Sequence, residues 1–559
     1  MEKIWRMFGK EWGNVNQAAL LLGSFALLSQ ILGLLRDRSI AHFIGPSAEL
    51  DAYYAAFRVP DLIFVSIASL CSVTVLVPFL SAKMRGEEIT PEARKFLNDI
   101  FTVFLGIMIA VSLIAFFAMP SLAAFIAPGF TPEMQAKVID LSRIMLLSPI
   151  LLGLSNLFGT VNQLFRRFFV YSLSPLLYNF GIIGGILLLY PAFGIYGLAI
   201  GVVFGAFMHF AIQAISSNEI GFGPRFSLSI NFTDLKKAAL VSLPRTLGLS
   251  FNSIALILVV ALASFLSLGS ISIFNLSLNL QSVPLGIIGL SYAVAAFPAL
   301  TRSFAAGKID DFKAQLRSAA RQVVFWSIPI TFLFIVLRAQ IVRVILGSGS
   351  FSWENTRLVA ASLAVFSISI IAQGLIALFA RAYYAAGNTR RPLFINFISS
   401  VSIVALAHVF LNFFGRFPFF KDFIESLFKV EGILGTEVLM LPLAYSVGTI
   451  LNFTLLWIFL KRDFMKNEPF IMRTFSQSLG ASFFIGFISY ILLNILSPIF
   501  GTETFWGVFL QGFISGIFGI SVGVLVLYLL KNEELSELMQ TLRTKFWKAK
   551  VVAPAQEGL

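Results

Sequence analysis

The groups best placed to do chemistry in this chain are ionisable side chains set inside, or at the edge of, long apolar runs. Arg36, Asp37 and Arg38 close one such run. Asp51, Arg58 and Asp61 lead into the next, and Arg143 and Arg245 lie within two others. A charge at the centre of a bilayer costs roughly 2.5–3.5 kcal/mol or more, so each of these residues should face a cavity or a partner. The plainer role of any one of them is pairing with a neighbour or reaching to the membrane surface. Several arginines converging on one cavity would instead suit phosphate, which the planar guanidinium holds through paired hydrogen bonds. Asn275, Asn279 and Gln281 add amides to a further apolar run and are expected on the same cavity face. Pro60, Pro78, Pro284 and Pro298 should kink or gate the helices that carry them.

Other chemistries find no support. Cys71 is the single cysteine and lies in an apolar run, so it reads as a small buried hydrophobe. His42, His209 and His408 are far apart, and no carboxylate or thiol cluster stands beside them, so no metal site is expected. No nucleophile–base pair or nucleotide loop is present, so an enzyme is not expected.

The elements that must carry these residues follow from composition. Of 559 residues, 58% are hydrophobic and 12% charged, against roughly 25% charged in soluble domains. Both a water-soluble enzyme and a disordered chain are excluded. Hydropathy marks fourteen candidate spans, near 15–35, 60–82, 97–119, 138–163, 168–190, 194–216, 238–265, 271–299, 319–340, 357–380, 393–413, 437–460, 474–497 and 505–530. With the N-terminus placed in the cytoplasm, 29 of the 41 Lys and Arg fall in cytoplasmic segments. That bias supports an even number of spans with both termini inside. The net charge of +13 is thereby mostly a topology signal, and nucleic acid is not an expected partner.

The chain also repeats. Pro175-Leu176-Leu177-Tyr178-Asn179 opens the fifth span and Pro392-Leu393-Phe394-Ile395-Asn396 the eleventh. Val59-Pro60 begins the second, and Val283-Pro284 lies in the eighth. Each pair is six spans apart, so the halves run in parallel. The expectation is an all-α polytopic membrane protein: a lobe over 1–230, a second over 231–465, an extra helix pair over 466–530, and a cytoplasmic amphipathic tail over 531–559 that lies on anionic lipid. Two similar lobes around a midplane cavity suit alternating access, which favours a transporter over a channel.

The stretch Leu32-Gly33-Leu34-Leu35-Arg36-Asp37, with Ile40-Ala41, Gly45, Asp51-Ala52 and Ala56-Phe57-Arg58-Val59-Pro60, resembles the N-terminal signature of the MurJ/MviN lipid II flippases. Val77-Pro78, Ala127-Pro128-Gly129-Phe130, Leu141-Ser142-Arg143-Ile144, Phe297-Pro298, Gly349, Phe351 and Arg381-Ala382-Tyr383-Tyr384-Ala385 through Pro392 extend the likeness. These flippases belong to the multidrug/oligosaccharidyl-lipid/polysaccharide exporter superfamily. The resemblance implies movement of the undecaprenyl-pyrophosphate-linked cell-wall precursor from the inner to the outer leaflet of the bacterial cytoplasmic membrane. It also implies a cationic central cavity, structural roles for Gly33, Arg381 and Pro392, and a lipid-tail groove on spans thirteen and fourteen. Expected partners are lipid II or a related glycan, membrane lipids and cell-wall synthesis proteins. No cofactor is implied, and the identity of a coupling ion stays open.

This sequence departs from the family pattern at several cavity positions. Gln30 stands where the family has arginine. Phe64 and Val65 stand where it has basic residues, and Asn279 takes the place of the arginine of span eight. Arg36 and Asp51 are kept, and Arg58 and Arg245 are candidates to replace the lost charge. The alternatives are a flippase for another lipid-linked polysaccharide repeat, a cation-coupled drug exporter, which the scarcity of carboxylates within the spans disfavours, and a scaffold that binds such lipids without moving them.

Overall fold

A computed structural model describes residues 15–68, 73–84, 88–466 and 471–546. Among them are eleven helices long and apolar enough to cross a membrane, or twelve if the broken pair Trp353–Ser367 and Ile370–Ala385 is one span. The two other apolar stretches marked by hydropathy are helical as well. The first is α1 (Val15–Phe43). The second follows α2 (Ala48–Ala56) and contains α3 (Arg58–Ile63), the π-helical turn Phe64–Ala68 and α4 (Val73–Ala82).

The helix starts are written in the sequence. In α5 (Pro91–Ile126) the Thr90 hydroxyl accepts the Ala93 amide at 3.1 Å, Pro91 occupies the first turn, and Glu92 meets the positive end of the helix dipole. Thr131 and Pro132 repeat the device at α6 (Pro132–Met145). At 36 residues α5 is about 54 Å long, well beyond the ~30 Å hydrocarbon thickness. Its first turns bind the loop after residue 220: Asn98 Oδ1 accepts the Arg225 amide at 2.7 Å, and Asp99 accepts the Asn231 amide at 3.0 Å.

Contacts divide the chain into two compact units, residues 1–283, 345–366 and 387–455, and residues 284–344, 367–386 and 456–559. In the first, α7 (Leu147–Leu164), α8 (Phe168–Gly184) and α9 (Ile195–Glu219) follow α6, then α10 (Phe232–Ala263) and α11 (Ser270–Pro284). Helices α8 and α9 touch backbone to backbone: a Cβ on Gly205 would lie 2.4 Å from the Tyr178 carbonyl oxygen. That closeness fixes α8, which carries site residues. Short π-helical turns interrupt the regular winding at Phe64–Ala68, Gly185–Leu189 and Leu285–Leu290. The last of them follows Pro284.

In the second unit, α12 (Ser291–Ala305), α13 (Ile309–Val336) and α14 (Ile370–Ala385) lead to α15 (Met472–Phe500) and α16 (Phe505–Leu529), then α17 (Glu533–Phe546). The last membrane pair packs through small residues, and the Ser489 hydroxyl donates to the Ser515 carbonyl at 3.0 Å. The tail was expected to lie on lipid. Its first turn docks on the protein: Leu535 is buried with Phe325, Ala481 and Leu527, and Glu534 is held by Arg321 and Thr474. A buried carboxylate anchored this way turns the helix inward.

Candidate functional site

A cavity of ≈ 290 Å³ lies within the first unit. Helix α1 brings Arg36 and Asp37 to it, and α2 brings Tyr53 and Tyr54. Arg58 and Asp61 come from α3, Tyr178 and Ile182 from α8, and Asn275, Leu278 and Asn279 from α11. The last three sit three and four residues apart, on one face of a helix.

The charges are wired to one another. Arg36 donates to Asp37 Oδ1 through Nε at 2.9 Å and Nη2 at 2.8 Å, and through Nη1 to Asn179 Oδ1 at 3.3 Å. The other carboxylate oxygen of Asp37 accepts from the Asn279 amide at 3.1 Å. Arg58 donates to Asn275 Oδ1, while the Asn275 amide is itself fixed on the Ile271 carbonyl at 2.7 Å. The Arg58 Nε and the Tyr54 hydroxyl are buried without a hydrogen-bond partner. An unpartnered buried donor is costly, and an incoming acceptor would relieve it. The cavity thus offers two guanidinium groups against two carboxylates, Asp37 and Asp61. It carries no net charge from its lining.

Of the residues expected in the cavity, Arg36, Asp37, Arg58, Asn275 and Asn279 meet there. Asp51 does not line it. It is 2% exposed and accepts from the Gly269 amide at 2.7 Å, the Ser272 amide at 2.7 Å and the Ser272 hydroxyl at 2.6 Å. Its carboxylate is spent on the orphan amides at the start of α11. Gln30 lies about two turns before Arg36 and lines a separate cavity of ≈ 520 Å³. The backbone of Arg245 runs in α10, and its side chain, like that of Pro78, falls outside the described residues. Gln281 is buried at 1%, with neither amide atom partnered. Arg143 stacks over Phe116 at 4.8 Å, which explains its tolerance in a span without a cavity role.

Among the expected structural positions, Pro60 is buried in α3 and Pro392 in the helix Arg390–Arg416. Pro298 lies inside α12, and Arg381 donates to the Ala377 carbonyl at 3.0 Å. Gly33 has open space where a side chain would go, so its lack of one is not a packing requirement here. Tyr53, Tyr54, Tyr178 and Asn179 were missed as site residues. The repeat motif Pro175–Asn179 already contained two of them, but repetition alone did not say which way they point.

A family profile described as lipid II flippase MurJ matches residues 40–511. The chain belongs to the lipid II flippase MurJ family. Its relatives include a probable lipid II flippase MurJ of Borreliella burgdorferi, 26% identical over 409 residues, covering 72% of this chain and 78% of the relative. One from Thermotoga maritima is 26% identical over 524 residues, covering 93% and 98%. Among solved structures, a lipid II flippase MurJ in an inward closed conformation superposes with a TM-score of 0.72 at 21% identity, over 93% of this chain and all of the other. An inward-facing multidrug resistance MATE family transporter of the MOP superfamily gives 0.60 at 14% identity, over 80% and 100%. The MurJ family is one of multi-pass membrane transporters and not of enzymes, and its fold is the fold seen here.

Proposed function

We propose that this chain flips lipid II, the polyprenyl-pyrophosphate-linked precursor of peptidoglycan, from the inner to the outer leaflet of a bacterial cytoplasmic membrane by alternating access. The observation that carries the reading is the polar cavity of Arg36, Arg58, Asn275 and Asn279 set among membrane helices, in a chain matched by the family profile over most of its length. The two arginines are the donors for the pyrophosphate. A phosphate entering beside Arg58 supplies the acceptor its Nε lacks, and one entering beside Arg36 competes with Asp37. Cargo binding therefore costs a rearranged ion pair and returns charge-assisted hydrogen bonds, the differential a two-state carrier needs.

The finer architecture belongs to the same proposal. It has fourteen spans with both termini cytoplasmic, lobes over 1–230 and 231–465 that rock about the cavity, the pair over 466–530 serving the lipid tail, and the tail beyond 531 on the cytoplasmic side. Cell-wall synthesis proteins stand on either side of the step. One observation favours a second reading: the cavity lining is electrically neutral, which suits a flippase for a different lipid-linked polysaccharide repeat.

Rescue of a bacterium depleted of its own lipid II flippase separates the readings. Growth restored by the wild type and lost with Arg36→Ala or Arg58→Ala supports lipid II. No rescue by a well-expressed wild type overturns it, and full rescue by both variants removes the arginines from the mechanism.

A further inference from the structure

The larger cavity, ≈ 520 Å³, is not used by the reading above. It lies in the first unit, with walls from α1, α7, α8 and α9, including Phe25, Gln30, Asn156, Tyr171 and His209. Apart from histidine and tyrosine its lining holds no ionisable side chain; the rest of its polar surface is hydroxyl and amide. Its walls are held by internal hydrogen bonds. Ser155 Oγ lies 2.7 Å from His209 Nδ1, Gln213 donates to the Ser174 hydroxyl at 2.8 Å, and Asn162 donates to Gln213 Oε1 at 2.7 Å. Against those fixed walls, the Gln30 and Asn156 amides are half-buried and border open volume.

One side chain bridges a lining residue of each cavity. Asn179 accepts from Arg36 at 3.3 Å and donates to the Ser29 hydroxyl at 3.5 Å. Ser29 and Arg36 are seven residues apart on α1, or about 10 Å along its axis. A ligand holding its pyrophosphate at Arg36 and extending along α1 would reach Ser29 and Gln30 with a sugar about 10 Å further on. Neutral donors and acceptors beside an aromatic ring suit hydroxyl and acetamido groups. They do not suit a carboxylate, whose burial without a cation is expensive.

We propose that this cavity is the subsite for an uncharged, hydroxyl- and amide-bearing sugar of the lipid-linked cargo, with Gln30 and Asn156 as its specificity-determining contacts. The inference rests on the flippase reading and deepens it: Gln30, where the family resemblance implies arginine, makes this part of the path selective for a neutral group. A site built to hydrogen-bond hydroxyls discriminates strongly against a ligand that lacks them.

The test is binding to the purified full chain in lipid nanodiscs, comparing lipid II trimmed of its peptide with undecaprenyl pyrophosphate, which lacks the glycan. The wild type should bind the trimmed lipid II more tightly. Asn156→Leu should lower the ratio of the two affinities about tenfold, and Gln30→Met should do the same if the first variant fails to fold. A wild type that binds both lipids equally, or a variant that loses affinity for both in proportion, overturns the subsite and leaves the flippase reading standing. A wild type that binds neither lipid overturns both.

Discussion

Replacing Asp51 by asparagine removes one negative charge from a fully buried bridge, and the cost can be worked from the contacts. The carboxylate accepts three hydrogen bonds, from the amides of Gly269 and Ser272 and from the Ser272 hydroxyl, at 2.7, 2.7 and 2.6 Å. Ser272 is itself 0% exposed. Asparagine keeps one acceptor oxygen and turns the other into a donor, which then faces an N–H. At least one charge-assisted bond, roughly 1.5–3 kcal/mol, is lost, and a buried donor is left unpaired, so about 2–4 kcal/mol is expected. Ser272→Ala alone should cost about 1–2 kcal/mol. Because both changes touch the same hydroxyl bond, the double variant should fall short of the sum by about 1–2 kcal/mol. Reversible unfolding of the four proteins in mixed micelles, followed by tryptophan fluorescence, measures the cycle. An Asp51→Asn cost below about 0.5 kcal/mol, or strict additivity, would refute the assignment of Asp51 as a brace for the start of α11.

Gly205→Val should destabilise by at least about 1–3 kcal/mol, because its side chain would enter space 2.4 Å from the Tyr178 carbonyl; thermal unfolding checks it, and an unchanged midpoint contradicts it. Arg58→Met should destabilise by about 1–3 kcal/mol, since Asn275 Oδ1 loses its buried donor and Asp61 its counter-charge, partly offset by removal of a buried cation with an unpartnered Nε. Its transport should also fall at least tenfold; loss of stability with retained transport would assign Arg58 to structure instead. The hydrogen bond and charge of Arg321 hold the Glu533 carboxyl below its usual range. A carboxyl depressed in the folded state contributes stability above its unfolded pKa, near 4.3, and loses it as pH falls through the folded value. Hydrogen exchange over Glu533–Leu535 should therefore be slow at pH 7 and fast at pH 3.5; equal protection at both, after correction for intrinsic rates, would contradict the anchor.

The spans were legible because burial in lipid demands long apolar helices, a demand visible residue by residue. Arg36, Asp37 and Arg58 were legible for the reverse reason: charge in such a run is expensive and so must be placed. What hydropathy could not show was the direction of each carboxylate. Asp51 and Asp37 look alike in sequence, yet one braces α11 through Ser272, 221 residues away, while the other pairs with the adjacent Arg36 and accepts from Asn279, 242 residues away. The neutrality of the cavity depends on that pairing. The first turn of the tail was illegible for a related reason. An amphipathic stripe says that one face will be covered, and lipid and protein cover it equally well until the Arg321–Glu534 contact is seen.

Transfer of lipid II between leaflets by the purified protein tests the central claim most directly. Proteoliposomes carrying the full chain and labelled lipid II, with a membrane-impermeant enzyme outside that consumes only exposed headgroups, report the inner pool over time. The wild type should make the inner pool accessible, and Arg36→Ala, at equal incorporation, should not. An inner pool that stays protected with the wild type, under an imposed membrane potential and ion gradients of either sign, would contradict the claim.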